Sequence, residues 1–419
     1  MSSGDKVPVK VGKSTVFFIV MTVVIDAMGI GLIIPVLPDL LLAVLPDTTV
    51  AEAAVWGGIL ASLFAVMQFI FSPILGSLSD QAGRKPILLL SLTVMIGYYL
   101  VMAVAQSIWL LLIGRIIGGI TAATNATAAA YMADISKPEE KAARFGLIGA
   151  GFGAGFVLGP VLGGLLGELG PRAPFYAAAG LAALNAAIGF IVLPETVTDH
   201  MRRKFSWQKA NPLGAIKTIG EFSGLKALLL VLLIYGIGTA VYPSVWPFFT
   251  AERFDWSPQM IGISLTIYGL CFAIVQGVLV RPMIARLGER RTVILGFGFE
   301  IFAMSFIAMV SNGMLLMAMT PIASLGVLSQ PALQSIMSRR VSDDMQGALQ
   351  GVLSSLHAVT LIVTPLVMTS LLSLFSRPSM PIYFPGAPFM LAALMVFFCL
   401  IIFTRLQGLS ENQTSSEPR

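Results

Sequence analysis

Apolar stretches close to the length of a bilayer crossing recur about twelve times along this chain. They fall near 14–37, 54–75, 87–105, 108–131, 145–167, 174–193, 225–249, 259–280, 292–311, 314–337, 348–375 and 386–404. A helix needs about 20 apolar residues to cross the hydrocarbon layer, and a helix satisfies its own backbone hydrogen bonds there. Each stretch therefore reads as a transmembrane helix. Only 11% of the residues are charged, less than half of the roughly 25% usual in soluble domains, so the chain cannot cover itself with polar surface. The expected fold class is an all-α membrane protein of twelve transmembrane helices.

Connections that are alternately rich and poor in Lys and Arg set the orientation. One side keeps only Arg172, Arg253 and Arg377, and Arg115 falls within a span, while every other basic residue lies on the opposite side. Both termini are thus expected in the cytoplasm. The net charge of +5 is spread over helix ends facing lipid headgroups and not over one continuous face, which argues against a nucleic-acid partner. Cys271 and Cys399 both lie inside apolar runs, so neither a disulfide framework nor a metal site is indicated. The run at 14–37 is too long for a cleaved leader and reads as the first retained span. No phosphate-binding Gly-x-x-x-x-Gly-Lys-Ser/Thr loop occurs, so an ATPase or hydrolase is not expected.

Residues 195–226, with Arg202, Arg203, Lys204, Lys209, Asn211, Pro212 and Lys217, interrupt the pattern. The expected organisation is a six-helix bundle over 1–194, a cytoplasmic linker at 195–226, a second bundle over 227–405 and a cytoplasmic tail at 406–419. A shift of about 205 residues brings Gly83 onto Gly288, Gly146 onto Gly351 and Pro160 onto Pro365, and a shift of 214 brings Ala173-Pro174-Phe175 onto Ala387-Pro388-Phe389. Two parallel repeats imply a substrate cavity between them, reached alternately from each side. The repeat is imperfect, because Asp80 aligns with Ala285 and Arg84 with Glu289.

Three groups of residues carry chemistry. The first is the segment Gly76-Ser-Leu-Ser-Asp80-Gln-Ala-Gly83-Arg84-Lys85-Pro86, expected to be a loop whose glycines allow a tight turn. The second is the fifth span, where Gly155, Gly159, Pro160, Gly163 and Gly164 give small residues at the four-residue spacing that lets helices approach closely. The third is the set of ionisable residues inside spans, Asp26, Arg115, Glu300 and His357. Each is costly in hydrocarbon and so is a functional candidate. Asp26 lies on a glycine- and proline-containing span and could carry a proton or attract a cationic substrate. Arg115 cannot usefully lose its proton, so its role must be electrostatic. Glu300 could carry a proton or contact a substrate cation, and a histidine such as His357 suits a proton relay. Gln68, Asn125, Gln276, Gln330 and Gln334 could line the cavity beside Tyr98, Tyr235 and Tyr268, or could bond helix to helix.

The charged segment 76–86 between two spans resembles the signature loop of major facilitator transporters. In that family it acts as a conformational latch, which assigns Gly76, Asp80, Gly83 and Arg84 to that role here. Gly155-x-x-x-Gly159-Pro160-x-x-Gly163-Gly164 resembles the motif of the family's antiporters, and Gly114-Arg115 through Gly119 its fourth-helix motif, linked to proton transfer. Together with Asp26-Ala-Met-Gly-Ile-Gly-Leu-Ile-Ile-Pro-Val-Leu-Pro38 and Gln346-Gly-Ala-Leu-Gln-Gly351, these segments are similar to the bacterial tetracycline/proton antiporters of the drug-efflux branch. The resemblance runs from about residue 15 to 405. It implies export of tetracycline-like or other amphipathic drugs in exchange for protons, antibiotic resistance, no resident cofactor, and a monomer. It also implies a divalent cation, such as magnesium, carried with a chelating substrate. Asp26, Asp80, Arg84, Arg115, Gln276 and Gln334 fall where that family has the same residue type, and Glu300 where it has an aspartate. Gly97 stands where the family has an acidic residue and Phe272 where it has a histidine, which leaves room for another drug preference. A metabolite or nutrient transporter of the same fold is the alternative. A receptor or scaffold would need neither the intramembrane charges nor the latch.

Overall fold

A computed structural model describes residues 13–122, 124–197 and 222–415, with 202, 205, 207, 211, 214 and 220 between them. Most of the expected linker and the end of the tail lie outside the described residues. The first part of the chain forms α1 (Lys13–Ile33), α2 (Leu37–Val44), α3 (Val50–Ala82), α4 (Arg84–Val104), α5 (Ile108–Thr121), α6 (Thr124–Asp134), α7 (Lys141–Gly167) and α8 (Ala173–Val192). The second forms α9 (Lys226–Thr239), α10 (Val241–Phe254), α11 (Pro258–Ile274), α12 (Val280–Met309), α13 (Gly313–Ala323), α14 (Ser329–Ser338), α15 (Gln346–Phe375) and α16 (Ala387–Ser415).

Local chemistry sets many of the starts. A capping box opens α3, where the Thr49 N–H donates to Glu52 and the Glu52 N–H to the Thr49 hydroxyl. Ser107, Ser257 and Asn312 accept from the first turns of α5, α11 and α13.

Among the described residues, eleven stretches are long and apolar enough to cross a membrane. One of them, Pro258–Met309, has 52 residues, more than twice the length that one crossing needs. Gly288, at φ 76° and ψ 164°, breaks it, so the stretch supplies two crossings and the total is twelve.

Several spans are less regular than apolar length suggested. In the fourth, α5 ends at Thr121 and Ala122 leaves the helical conformation, and the seventh divides at Ala240 into α9 and α10. The eighth loosens into a π-helical turn at Val275–Leu279. The tenth passes through a 3-10 turn at Ser324–Leu328 between α13 and α14. Such turns inside helices often mark functional hinges.

The segment 76–86 is not a loop. Helix α3 runs on to Ala82 and α4 begins at Arg84, so the whole reversal falls on Gly83, at φ 113°. Gly76 is an ordinary helical residue with open space where a side chain would be. Likewise 281–291 is helical apart from Gly288. Length misled here because a helix projecting beyond the bilayer keeps its hydrogen bonds in water as well as in lipid.

The chain packs as two compact units, Met1–Val44 with Val66–Pro212, and Leu45–Ala65 with Leu213–Arg419. In the first, α1 lies against α7 along a glycine seam. Side chains at Gly155 or Gly163 would strike the Val24 and Leu32 carbonyl oxygens, and one at Gly159 would come within 2.6 Å of the Met28 oxygen. The antiporter-like motif is thus a groove that admits the backbone of α1. In the second unit the first part of α3 lies on α15. Ser62 donates to the Ile362 oxygen at 2.7 Å, and a side chain at Gly58 would meet Thr369 and the Pro365 carbonyl.

Candidate functional site

The charged corner of the first unit is built on one arginine. Arg84 opens α4, and its guanidinium reaches Asp80 in the last turn of α3 at 2.7 Å and Asp134 at the end of α6 at 3.0 Å. It also donates to the Ser79 hydroxyl at 2.6 Å. The Arg84 side chain is 13% exposed, so these bonds are shielded from solvent better than a surface pair. One cation therefore ties the ends of three helices. The Glu195 carboxylate, just past α8, accepts from the backbone N–H groups of Arg84 and Lys85.

The equivalent corner of the second unit has the opposite polarity. The 205-residue shift carries Gly83 to Gly288, Arg84 to Glu289 and Asp134 to Arg339. Gly288 again has a positive φ, and Glu289 pairs with Arg339 at 3.1 Å while accepting from the Ser335 hydroxyl at 2.6 Å. Here the carboxylate is the inner partner and the arginine is 74% exposed. The pair survives the repeat with its charges exchanged.

Asp26 lies on α1 roughly 200° around the helix from Val24, counting two residues, so it faces away from the α7 seam. It is half-buried. Tyr99 of α4 stands beside it. Asp26, Tyr98 and Arg115 all act electrostatically on Tyr99, and the Tyr99 hydroxyl occupies the space a side chain at Gly29 would need. Tyr98 packs its ring on Gly118 of α5, with 5.0 Å between the Tyr98 and Tyr99 ring centres. A carboxylate, an arginine and two tyrosines from α1, α4 and α5 therefore form one group.

Glu300 is buried, with 3% of its surface exposed. With Gly296 it forms a face of α12 that presses on the 3-10 turn of the tenth span. The Glu300 carboxylate sits against Gly326, leaving no room for a side chain, and Gly296 lies close to the Ser329 backbone. Tyr242, Tyr235 and Tyr268 all lie within the field of the Glu300 carboxylate. Ser329 donates to the Tyr235 oxygen at 2.8 Å. No ion pair holds Glu300 among those found in the described residues.

The other candidates are scattered. Gln68 donates to the Ala122 oxygen at 3.2 Å, bonding α3 to the break between α5 and α6. Gln276 is half-buried within the π-helical turn. On α14, Gln330 is exposed and Gln334 half-buried, and the His357 side chain on α15 is exposed. Asn125 lies on α6, and its side chain is outside the described residues. Gly97 is exposed with nothing within 4 Å of a side chain there, and Phe272 is 39% exposed with its ring 6.4 Å from that of Tyr268.

The sequence profile of the Major Facilitator Superfamily matches residues 19–241 and again residues 227–418. The chain belongs to that superfamily. It is a multi-pass membrane transporter and not an enzyme. Among its relatives, the class C tetracycline resistance protein of Escherichia coli is 37% identical over 350 residues, covering 84% of this chain and 87% of that protein. The class G tetracycline resistance protein of Vibrio anguillarum is 36% identical over 94% of this chain and 98% of that one. The fold matches the nucleoside transporter NupG with a TM-score of 0.74 at 11% identity, over 93% of this chain and 98% of that one. It also matches the human organic anion transporter MFSD10, with 0.66 at 24% identity over 93% and 98%.

Sequence reasoning on this major facilitator transporter missed Asp134, Glu195, Tyr242 and Ser329. A signal existed for Asp134. The same 205-residue shift that exposed the repeat carries it to Arg339, a charge matched by an opposite charge just as Arg84 is matched by Glu289. Nothing in spacing marks the tyrosines, which are amphipathic enough to serve equally as packing residues.

Proposed function

We propose that this transporter is a proton-coupled efflux antiporter exporting tetracycline-like or other amphipathic drugs by alternating access. The observation that carries this reading is the 37% identity to a tetracycline resistance protein over 84% of the chain. The carboxylates support it, because an exchanger driven by protons needs groups that bind and release them away from water. Asp26 is the coupling group in the first unit, with Arg115 setting the field around Tyr99 and Asp26. Glu300 is its counterpart in the second. His357 and the exposed or half-buried glutamines Gln68, Gln276, Gln330 and Gln334 are assigned to relay or substrate contact, together with Asn125.

A divalent cation would arrive as part of a chelating drug. Among the described residues, no three His, Cys, Asp or Glu side chains gather to hold one. The protein works as a monomer in the bacterial inner membrane with both termini in the cytoplasm, an orientation supported by the distribution of Lys and Arg.

Drug susceptibility of an efflux-deficient bacterial host expressing the chain tests the substrate. The panel contains tetracyclines, phenicols and fluoroquinolones. Raised tolerance to tetracyclines is the expected result. No change across the panel, with the protein present in the membrane, contradicts drug export and favours a metabolite transporter.

A further inference from the structure

Helix α4 begins badly by the rules of helix electrostatics. Its first two residues, Arg84 and Lys85, are cations, and cations are disfavoured at the positive end of a helix dipole. Its first N–H groups have no partners within the helix, and the preceding residue, Gly83, has no side chain to offer. Glu195 supplies both missing elements. Its carboxylate accepts from the N–H of Arg84 at 2.9 Å and of Lys85 at 3.2 Å, and also from the N–H of Thr196 at 2.9 Å and Val197 at 3.0 Å.

The fit is specific. A side chain at Gly83 would lie 2.8 Å from the carboxyl carbon of Glu195, so the glycine and the glutamate occupy one space between them. The residues on either side of Glu195 are fixed to α6. The Tyr131 hydroxyl donates to the Pro194 oxygen at 2.6 Å, and Thr196 reaches Asp134 at 3.5 Å. Among the described residues the second unit has no such arrangement, since none lies within 4 Å of a side chain at the corresponding position, Gly288.

We propose that Glu195 is a positioning residue of the transport cycle. Its carboxylate fixes the Gly83 reversal and the first turn of α4, so that Arg84 is aimed at Asp80 and Asp134 together. The chain leaves the first six helices through Glu195, so the same carboxylate anchors the start of the connection to the second half at the charged corner. This inference rests on the resemblance that makes the charged segment 76–86 a conformational latch, so that its state sets turnover.

The test is a double-mutant cycle between Glu195→Gln and Arg84→Ala, with Glu195→Asp as the variant that keeps the charge and shortens the reach. Initial rates of tetracycline uptake into inverted membrane vesicles are measured against substrate concentration and normalised to transporter abundance. Glu195→Gln is expected to lower kcat about tenfold, the scale of one lost charge-assisted bond, with KM unchanged. Glu195→Asp should fall between Glu195→Gln and the parent. In the Arg84→Ala background the Glu195→Gln effect should vanish, because nothing is left to aim. Additive losses, a Glu195→Asp variant as fast as the parent, or a loss confined to KM would overturn the proposal. If Arg84→Ala itself leaves kcat unchanged, the reading of the corner fails and the proposal fails with it. If Arg84→Ala is slow and Glu195→Gln is not, only the role given to Glu195 is lost.

Discussion

The two units of this transporter solve one structural problem in two ways. Each must turn the chain sharply between consecutive spans, and each does so at a glycine of positive φ, Gly83 or Gly288. At the first corner a shielded arginine gathers two carboxylates, and a third carboxylate holds the helix start. At the second, one ion pair of reversed sign stands with its arginine in solvent. The inner carboxylates differ in the same sense. Asp26 shares Tyr99 with an arginine, whereas Glu300 lies among tyrosines and against a close glycine. Ancestral symmetry supplies the geometry, and charge placement separates the tasks.

The largest effect expected from this contrast is at the carboxylates. Asp26→Asn should lower proton-driven accumulation on the order of a hundredfold or more, the scale of removing a proton-transferring group, while downhill exchange persists. Glu300→Gln, which keeps the shape of its seat, should cost less. Uphill transport with unchanged pH dependence in both variants would refute carboxyl coupling and direct attention to His357.

Alanine at the two corner glycines is the next comparison. Both glycines combine a positive φ with an extended ψ, 155° at Gly83 and 164° at Gly288, a region essentially confined to glycine, where a side chain costs roughly 1–3 kcal/mol. Only at Gly83 must it also displace a carboxylate whose bonds are worth about 1.5–3 kcal/mol each. Gly83→Ala should therefore lower the thermal unfolding midpoint in detergent more than Gly288→Ala does. Equal shifts would show that the Glu195 contact is energetically idle.

Ion-pair removal should separate the corners again. Arg84→Ala is expected to slow turnover about tenfold. Arg339→Ala should change it less than about twofold, because exposed pairs contribute roughly 0–1 kcal/mol. Equal losses in the two variants would mean that the reversed pair has kept the same task.

The smallest effect concerns drug preference. Gly97 and Phe272 are exposed positions, at which the resemblance to the tetracycline/proton antiporters implies an acidic residue and a histidine. Gly97→Glu with Phe272→His should raise tetracycline tolerance about two- to fivefold, the worth of one net hydrogen bond. Unchanged tolerance would place drug recognition elsewhere.

Much of the fold was legible in the sequence because lipid imposes a single rule, that an apolar run of sufficient length forms a helix. The breaks were not legible. Ala240, the 3-10 turn at Ser324–Leu328 and the π-helical turn at Val275–Leu279 sit in residues as apolar as their neighbours, and tertiary contacts such as Glu300 on Gly326 accompany them. Asp26, Arg115 and Glu300 stood out because a charge in a span is rare. Glu195 and Asp134 escaped notice because acidic residues just beyond a span carry no such cost. The glycines of α7 could be read as a close-packing seam, but that α1 is the partner follows only from the structure.

The central claim is that a proton gradient, and no other energy source, drives export. It is tested most directly in inverted membrane vesicles depleted of ATP, with an acid interior imposed by dilution into alkaline buffer. The account predicts tetracycline accumulation that rises with the imposed gradient and collapses on addition of a protonophore. Accumulation indifferent to the protonophore, or appearing only when ATP is supplied, would contradict it.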